Sequence, residues 1–270
     1  MPREIHSIGT RHRLRATFDR VAEQYDANRP SYPPAVFEDV IRISGVDGKS
    51  HLLEIGCGTG HATQVFAERS LCIHAIELGE HMAVLARRRL ARFPRVSVEV
   101  ADFDRWTANG LHDLVYAATA WHWLDPATRE QKIAARLRPS GWLAIWRNQY
   151  IRNGSSDDFV DAAQQIYTHL APELALERGR LPSAADVVAT TRYDITSGLF
   201  AEQEPRVYCW SRAYSSAEYV DLLNTHSDHQ LLPDDRRDQL FTELTALIDT
   251  RFGGSVIKDY ATILQMAQLK

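Results

Sequence analysis

Residues 52–62 read Leu52-Leu-Glu-Ile-Gly-Cys-Gly-Thr-Gly-His-Ala62. The apolar run of Leu52, Leu53 and Ile55 is the pattern of a strand buried on both faces. It runs into three alternating glycines, Gly56, Gly58 and Gly60, and then into a helical pattern from Ala62. Glycine lets the backbone turn sharply and lets a ligand approach where no Cβ intervenes. Strand, glycine loop and helix open a nucleotide-binding α/β unit.

Working outward, strands are expected over 71–77, 95–101, 112–118 and 142–147, with helices over 35–43, 79–93 and 126–137 between or before them. Strand alternating with helix predicts a mostly parallel, Rossmann-like sheet with helices on both faces. A helix over 14–24 precedes a segment broken by Pro30, Pro33 and Pro34. After residue 151 the alternation stops and helical signal dominates to 204. Strand character returns over 205–214 and again over 255–265. The expected organisation is therefore a helical lid (1–50), a nucleotide-binding core (51–150), a helical cap insertion (151–204) and the last strands of the core (205–270).

The bulk properties narrow the class. The chain has 270 residues, 44% hydrophobic, with a net charge of −4. That acidic balance argues against nucleic acid as a partner. No apolar run approaches the ~20 residues that span a bilayer, and the polar, basic first 15 residues do not read as a secretory signal. Cys57, Cys72 and Cys209 have neither metal spacing nor an even count. They read as reduced, packed thiols of a cytoplasmic protein.

A dinucleotide fingerprint needs a third glycine at position 61, where His61 stands. The next strand ends in Glu77, about 20 residues on, where a carboxylate can hold both ribose hydroxyls. The strand after it ends in Asp102-Phe103, a carboxylate for an adenine amino group beside a ring to flank it. Met82 is placed to press on the base. Together, Glu54 to Gly60, Glu77 and Asp102-Phe103 resemble the class I S-adenosylmethionine-dependent methyltransferases. The segments Phe18-Asp19 to Tyr32-Pro33 and Trp121-His122-Trp123-Leu124-Asp125 are similar to the small-molecule enzymes of the ubiquinone/menaquinone and trans-aconitate type.

The resemblance implies S-adenosylmethionine as cofactor and a seven-stranded sheet. It places Gly56, Gly58 and Gly60 near the methionine part of the cofactor, with Glu54 ordering that loop and Glu77 on the ribose. Ala118 and Thr119 face the transferring methyl. Tyr25, Arg29 and Tyr32 fold over the cofactor, Arg29 pairing with its carboxylate.

His122, just beyond the fourth strand, is the expected general base, if the acceptor loses a proton. Trp121, Trp123 and Trp146, with Tyr32, are expected to wall the acceptor. The segment after strand four lacks the Asn/Asp-Pro-Pro-aromatic signature of adenine and glutamine N-methyltransferases. No cysteine follows a proline, as a cytosine C5 enzyme would need. A small organic acceptor remains, with the cap and the C-terminal helices expected to form its pocket. His226 and His229, three apart with no third ligand evident, read as surface or second-layer residues, so no metal is expected. The competing readings are an NAD-dependent oxidoreductase and a cofactor-fold protein that has lost methyl transfer. The oligomeric state is open.

Overall fold

The computed structural model describes residues 22–107, 110–154, 156–176 and 181–270. Most of the helix expected over 14–24 lies outside them. From the first described residues the chain forms α1 (Ala22–Asn28), α2 (Pro34–Ser44), β1 (His51–Ile55), α3 (His61–Ala67), β2 (Cys72–Glu77), α4 (Glu80–Leu90), β3 (Val96–Val100) and β4 (His112–Ala118). A 3₁₀ turn (Trp121–Trp123), α5 (Arg129–Ala134) and β5 (Leu137–Ile151) follow. The rest is α6 (Asp157–Leu170), α7 (Ala184–Thr190), β6 (Phe200–Glu202), β7 (Arg206–Ser215), α8 (Ser216–Asn224), α9 (Ser227–Gln230), α10 (Asp234–Arg251) and β8 (Ser255–Leu269).

The sheet has eight strands in the order β3-β2-β1-β4-β5-β8-β6, with β7 also paired to β8. The five strands from β3 to β5 are parallel, and β8 runs antiparallel to β5, β6 and β7. The strand order reverses between β1 and β4, so a crevice opens at the carboxyl ends of those two strands.

The period-2 geometry of a strand sends successive side chains to opposite faces. Leu52, Ile73, Leu114, Tyr116, Ala144 and Trp146 join one core with α2, α3 and α4. Leu53, Ile76, Val115, Leu143 and Ile145 join a second core on the other face, with Ile133 of α5. Such two-sided burial is why these strands read as apolar runs rather than as alternations. A third core packs α6, α8 and α10 around Tyr214 and Tyr260 of the antiparallel strands.

Several element boundaries differ from the sequence expectation. The helix expected over 126–137 is shortened to Arg129–Ala134, and Leu137 opens β5 by pairing with His112. β5 runs on to Ile151 because residues 142–151 find antiparallel partners in β8. The expected all-helical 151–204 stretch ends in a short strand, β6, on the edge of β8. The sheet thus has eight strands where seven were expected.

Glu54 is fully buried. Its Oε2 accepts bonds from Thr63 Oγ1 at 2.5 Å and Tyr116 Oη at 2.8 Å. It therefore ties β1 to β4 and to α3, the helix that follows the glycine loop. Burial pushes its carboxyl up to about 7, against the opposing pull of those two bonds. With the folded pKa above the unfolded one, the neutral form stabilises the fold at low pH. That contribution is lost as pH rises through about 7, on the order of 3 kcal/mol in all. Urea denaturation from about pH 4 to 8 should show wild-type stability falling between about 4.5 and 7 and levelling off above. The profile of Glu54→Gln should be flatter, and identical slopes would show that Glu54 does not titrate there.

Candidate functional site

A cleft of about 610 Å³ opens at the switch point of the sheet. That is the size and place where open α/β sheets hold small ligands. Its floor is the loop after β1. Gly56 N–H and Cys57 N–H both donate to the Ile76 carbonyl, at 2.8 and 3.1 Å. Gly56 has φ +69°, and a Cβ there would lie 2.7 Å from Ala120 Cβ. Only glycine fits a backbone both left-handed and pressed against a neighbour.

Glu77, at the end of β2, faces this loop. Its Oε2 accepts from Gly58 N–H at 2.7 Å and its Oε1 from Gly79 N–H at 2.9 Å. Beside it the cleft is lined by Met82 of α4, by Asp102 and Phe103 after β3, and by Ala118 and Thr119 at the end of β4. Asp102 Oδ1 caps the turn by accepting from Asp104 N–H at 3.1 Å. Phe103 is 5% exposed and packs into the second core. Thr119 has φ +56°, a strained value for a β-branched residue. Its hydroxyl hydrogen-bonds Tyr32 Oη at 2.7 Å, and its N–H donates to the Trp146 carbonyl at 2.7 Å. These bonds hold the strained residue in place.

The opposite wall comes from three places. Arg29 reaches in from the N-terminal segment and donates from Nη2 to the Thr225 carbonyl at 2.9 Å. His122 and Trp123 follow β4, with ring centroids 4.7 Å apart and His122 exposed. His226, Ser227 and Asp228 close the wall from the C-terminal part. Burial, and then the Arg29 charge, holds the His226 imidazole well below its usual pKa.

Not every expected site residue reaches the cleft. Trp121 is 6% exposed, lies in the second core and carries the Arg129 guanidinium over its ring at 4.0 Å. Trp146 points into the first core, stacked on Tyr116 at 5.6 Å. Both are corrections to the expected acceptor wall, because each tryptophan packs on the sheet side of its backbone. Tyr32 acts through Thr119 and packs edge-on against Trp146. Gly60 lies outside the lining and starts α3 at φ +86°, close against Leu90. The Tyr25 side chain lies outside the described residues.

The expected acceptor pocket also changes. Among the described residues of 151–204, none lines the cleft. Its distal wall is the 226–228 segment among the C-terminal helices, whose histidines the sequence reading left as surface or second-layer residues. The one available signal was the density of histidine and aspartate there. His61, which occupies the third-glycine position, is held by Arg89 Nη1 at 3.2 Å and by the Asp26 carbonyl at 3.1 Å. It serves the packing of the lid against α4.

Residues 52–141 match the methyltransferase domain family. The trans-aconitate 2-methyltransferase of Acidovorax sp. (strain JS42) is 30% identical over 168 residues, 61% of this chain and 60% of that protein. The chain matches about three fifths of the length of such curated relatives. A solved structure assigned as a type II methyltransferase of Anaeromyxobacter dehalogenans superposes with TM-score 0.63 at 21% identity, covering 89% of this chain and 97% of that one. The cyclase SpnF shares the fold at TM-score 0.52 and 14% identity, covering 94% and 96%.

Gly56→Ala should abolish ligand-induced stabilisation in this cleft while the chain still folds. The measurement is a thermal melt with and without S-adenosylhomocysteine. Unchanged ligand stabilisation in the variant would show that the loop tolerates a Cβ.

Proposed function

We propose that this chain, whose residues 52–141 form a methyltransferase domain, binds S-adenosylmethionine in the cleft and transfers its methyl group to a small organic acceptor. The observation that carries the reading is the convergence of Gly56, Gly58, Glu77, Met82, Asp102 and Phe103 on one cleft. This set offers two carboxylates, an aromatic face and a thioether around a closely approachable backbone. It suits a nucleoside with two ribose hydroxyls and a flat base.

Glu77 would hold the ribose. Asp102 would receive the adenine amino group, with Met82 and Phe103 on the ring. Arg29 would face the cofactor carboxylate. When bound, the cofactor supplies a methyl group made electrophilic by its sulfonium. The remaining work for the protein is to align the acceptor and keep water out. His122, exposed at the mouth and backed by Trp123, is the group placed to take a proton from an acceptor that must lose one. Free thiols at Cys57, Cys72 and Cys209 suit a reducing, cytoplasmic setting.

The first acceptor to assay is trans-aconitate, for which the Acidovorax relative is named. A fold shared with a cyclase leaves a non-transferring protein as the second reading. Nothing in the cleft or the comparisons favours an oxidoreductase.

S-adenosylhomocysteine should raise the melting temperature by mass action, and NAD should not. Stabilisation by NAD alone would overturn the cofactor assignment. His122→Ala should slow transfer by about 100-fold with cofactor affinity unchanged. Equal turnover in wild type and variant would remove His122 from the chemistry.

A further inference from the structure

The distal wall of the cleft, with the buried His229 behind it, holds three groups whose arrangement the methyl-transfer reading leaves unused. His226, Asp228 and His229 place one ligating atom each within 4.8 Å of one another. The two imidazoles have ring centroids 5.5 Å apart and planes at 65°. Rings bound to one tetrahedral ion at about 2.0–2.1 Å have centroids about 5.2 Å apart, from the bond length, the ring radius and the tetrahedral angle. The observed pair is close to that separation.

Each ring is also oriented from behind. His226 Nε2 hydrogen-bonds Tyr150 Oη at 2.9 Å, and His229 Nε2 hydrogen-bonds Tyr167 Oη at 2.8 Å. That leaves Nδ1 of His226 for a ligand and turns Nδ1 of His229 towards Asp228, and a hydrogen bond on the far nitrogen is how proteins orient metal-binding histidines. His229 Nδ1 and the His229 backbone N–H both meet Asp228 Oδ1 at 2.8 Å, so the imidazole and the carboxylate are already side by side. The segment is braced from both sides: Arg29 donates to the Thr225 carbonyl, and Gln230 Nε2 donates to the Asn224 carbonyl at 2.7 Å. His229 is buried, while the Asp228 side chain is 60% exposed and has room to adjust.

We propose that His226, Asp228 and His229 form a divalent metal site on the wall of the cleft. Two imidazoles and one carboxylate suit a borderline ion such as Zn²⁺ or Co²⁺. Binding shifts the His229 proton from Nδ1 to Nε2, where the Tyr167 oxygen can accept it, so that the Asp228–His229 hydrogen bond is replaced by two bonds to the ion and the ligand atoms draw to about 3.3 Å apart. Asp228 supplies negative charge against Arg29 on the same wall. With three protein ligands, a coordination position stays open towards the cleft for water or an oxygen donor. Binding of the ion does not depend on the methyl-transfer reading, so the test is made without cofactor.

Tag-free, chelator-treated full-length protein is titrated with Zn²⁺ by calorimetry and with Co²⁺ by visible absorption. One saturable site per chain is expected, with a micromolar or tighter Kd and a ligand-field spectrum of low coordination number. His226→Gln and Asp228→Asn should each weaken it at least tenfold, with circular dichroism unchanged. His74→Gln, which alters a surface histidine paired with Glu99, should not. Absence of saturable binding to the wild type overturns the proposal. So does a site whose affinity survives both His226→Gln and Asp228→Asn. Either result would make the triad a hydrogen-bonded brace between Tyr150 and Tyr167.

Discussion

The cleft depends on how the ends of β1 and β2 are fastened together. Ile76 accepts two consecutive loop N–H groups, and the next residue, Glu77, accepts a third from Gly58 and a fourth from Gly79. A loop that turns through left-handed glycines leaves its N–H groups without the regular partners of a continuous helix or ladder. Buried, each would cost about 1–3 kcal/mol if unmet. The Ile76 carbonyl and the Glu77 carboxylate meet those of Gly56, Cys57 and Gly58, and the same carboxylate meets Gly79 at the start of α4. The same bonds set the distance between the glycine floor and the start of α4. A ligand lying across the switch point therefore finds a preformed backbone surface and a negative charge beside it.

The other side of the cleft is held by contacts distant in sequence. The N-terminal segment is clamped twice. Asp26 pairs with Arg89 of α4, and Arg29 bonds to the Thr225 carbonyl at the end of α8. This segment therefore bridges the parallel core and the C-terminal helices across the mouth. Thr119 shows what such closure costs. A β-branched residue is held at positive φ, and a bond to Tyr32 from the bridging segment helps hold it there. Backbone strain of this kind is kept where the surroundings over-determine it.

Much of the fold was legible because its physics is local. Strands buried on both faces are largely apolar, so 51–55, 71–77 and 112–118 stood out as runs. The residues at their carboxyl ends, Gly56, Glu77, Asp102 and Thr119, could be ordered along the cleft before any coordinates. Errors arose where a choice depended on a neighbour. Trp146 lies near the carboxyl end of the parallel part of β5, where ligands gather, yet its place in the two-residue alternation sends it to the same core as Ala144 and Tyr116. Trp121 was expected to wall the acceptor because it stands beside His122. The 3₁₀ turn puts it under Arg129 instead.

The amino-acid order by itself determined the doubly wound core, the glycine loop and the carboxylates at successive strand ends. Periodicity, glycine's access to positive φ and the direction of parallel strands all act within a few residues. Only the tertiary structure decided what stands opposite them. His226 and Asp228 are separated from the glycine loop by about 170 residues. They reach the cleft because β7 and β8 pair and α8 packs on α1. The 151–204 stretch, equally suited by composition, packs with the third core or along β8 and lines no part of the cleft among its described residues. Which distant segment closes a cleft follows from the burial of whole faces against one another, and no local pattern records that.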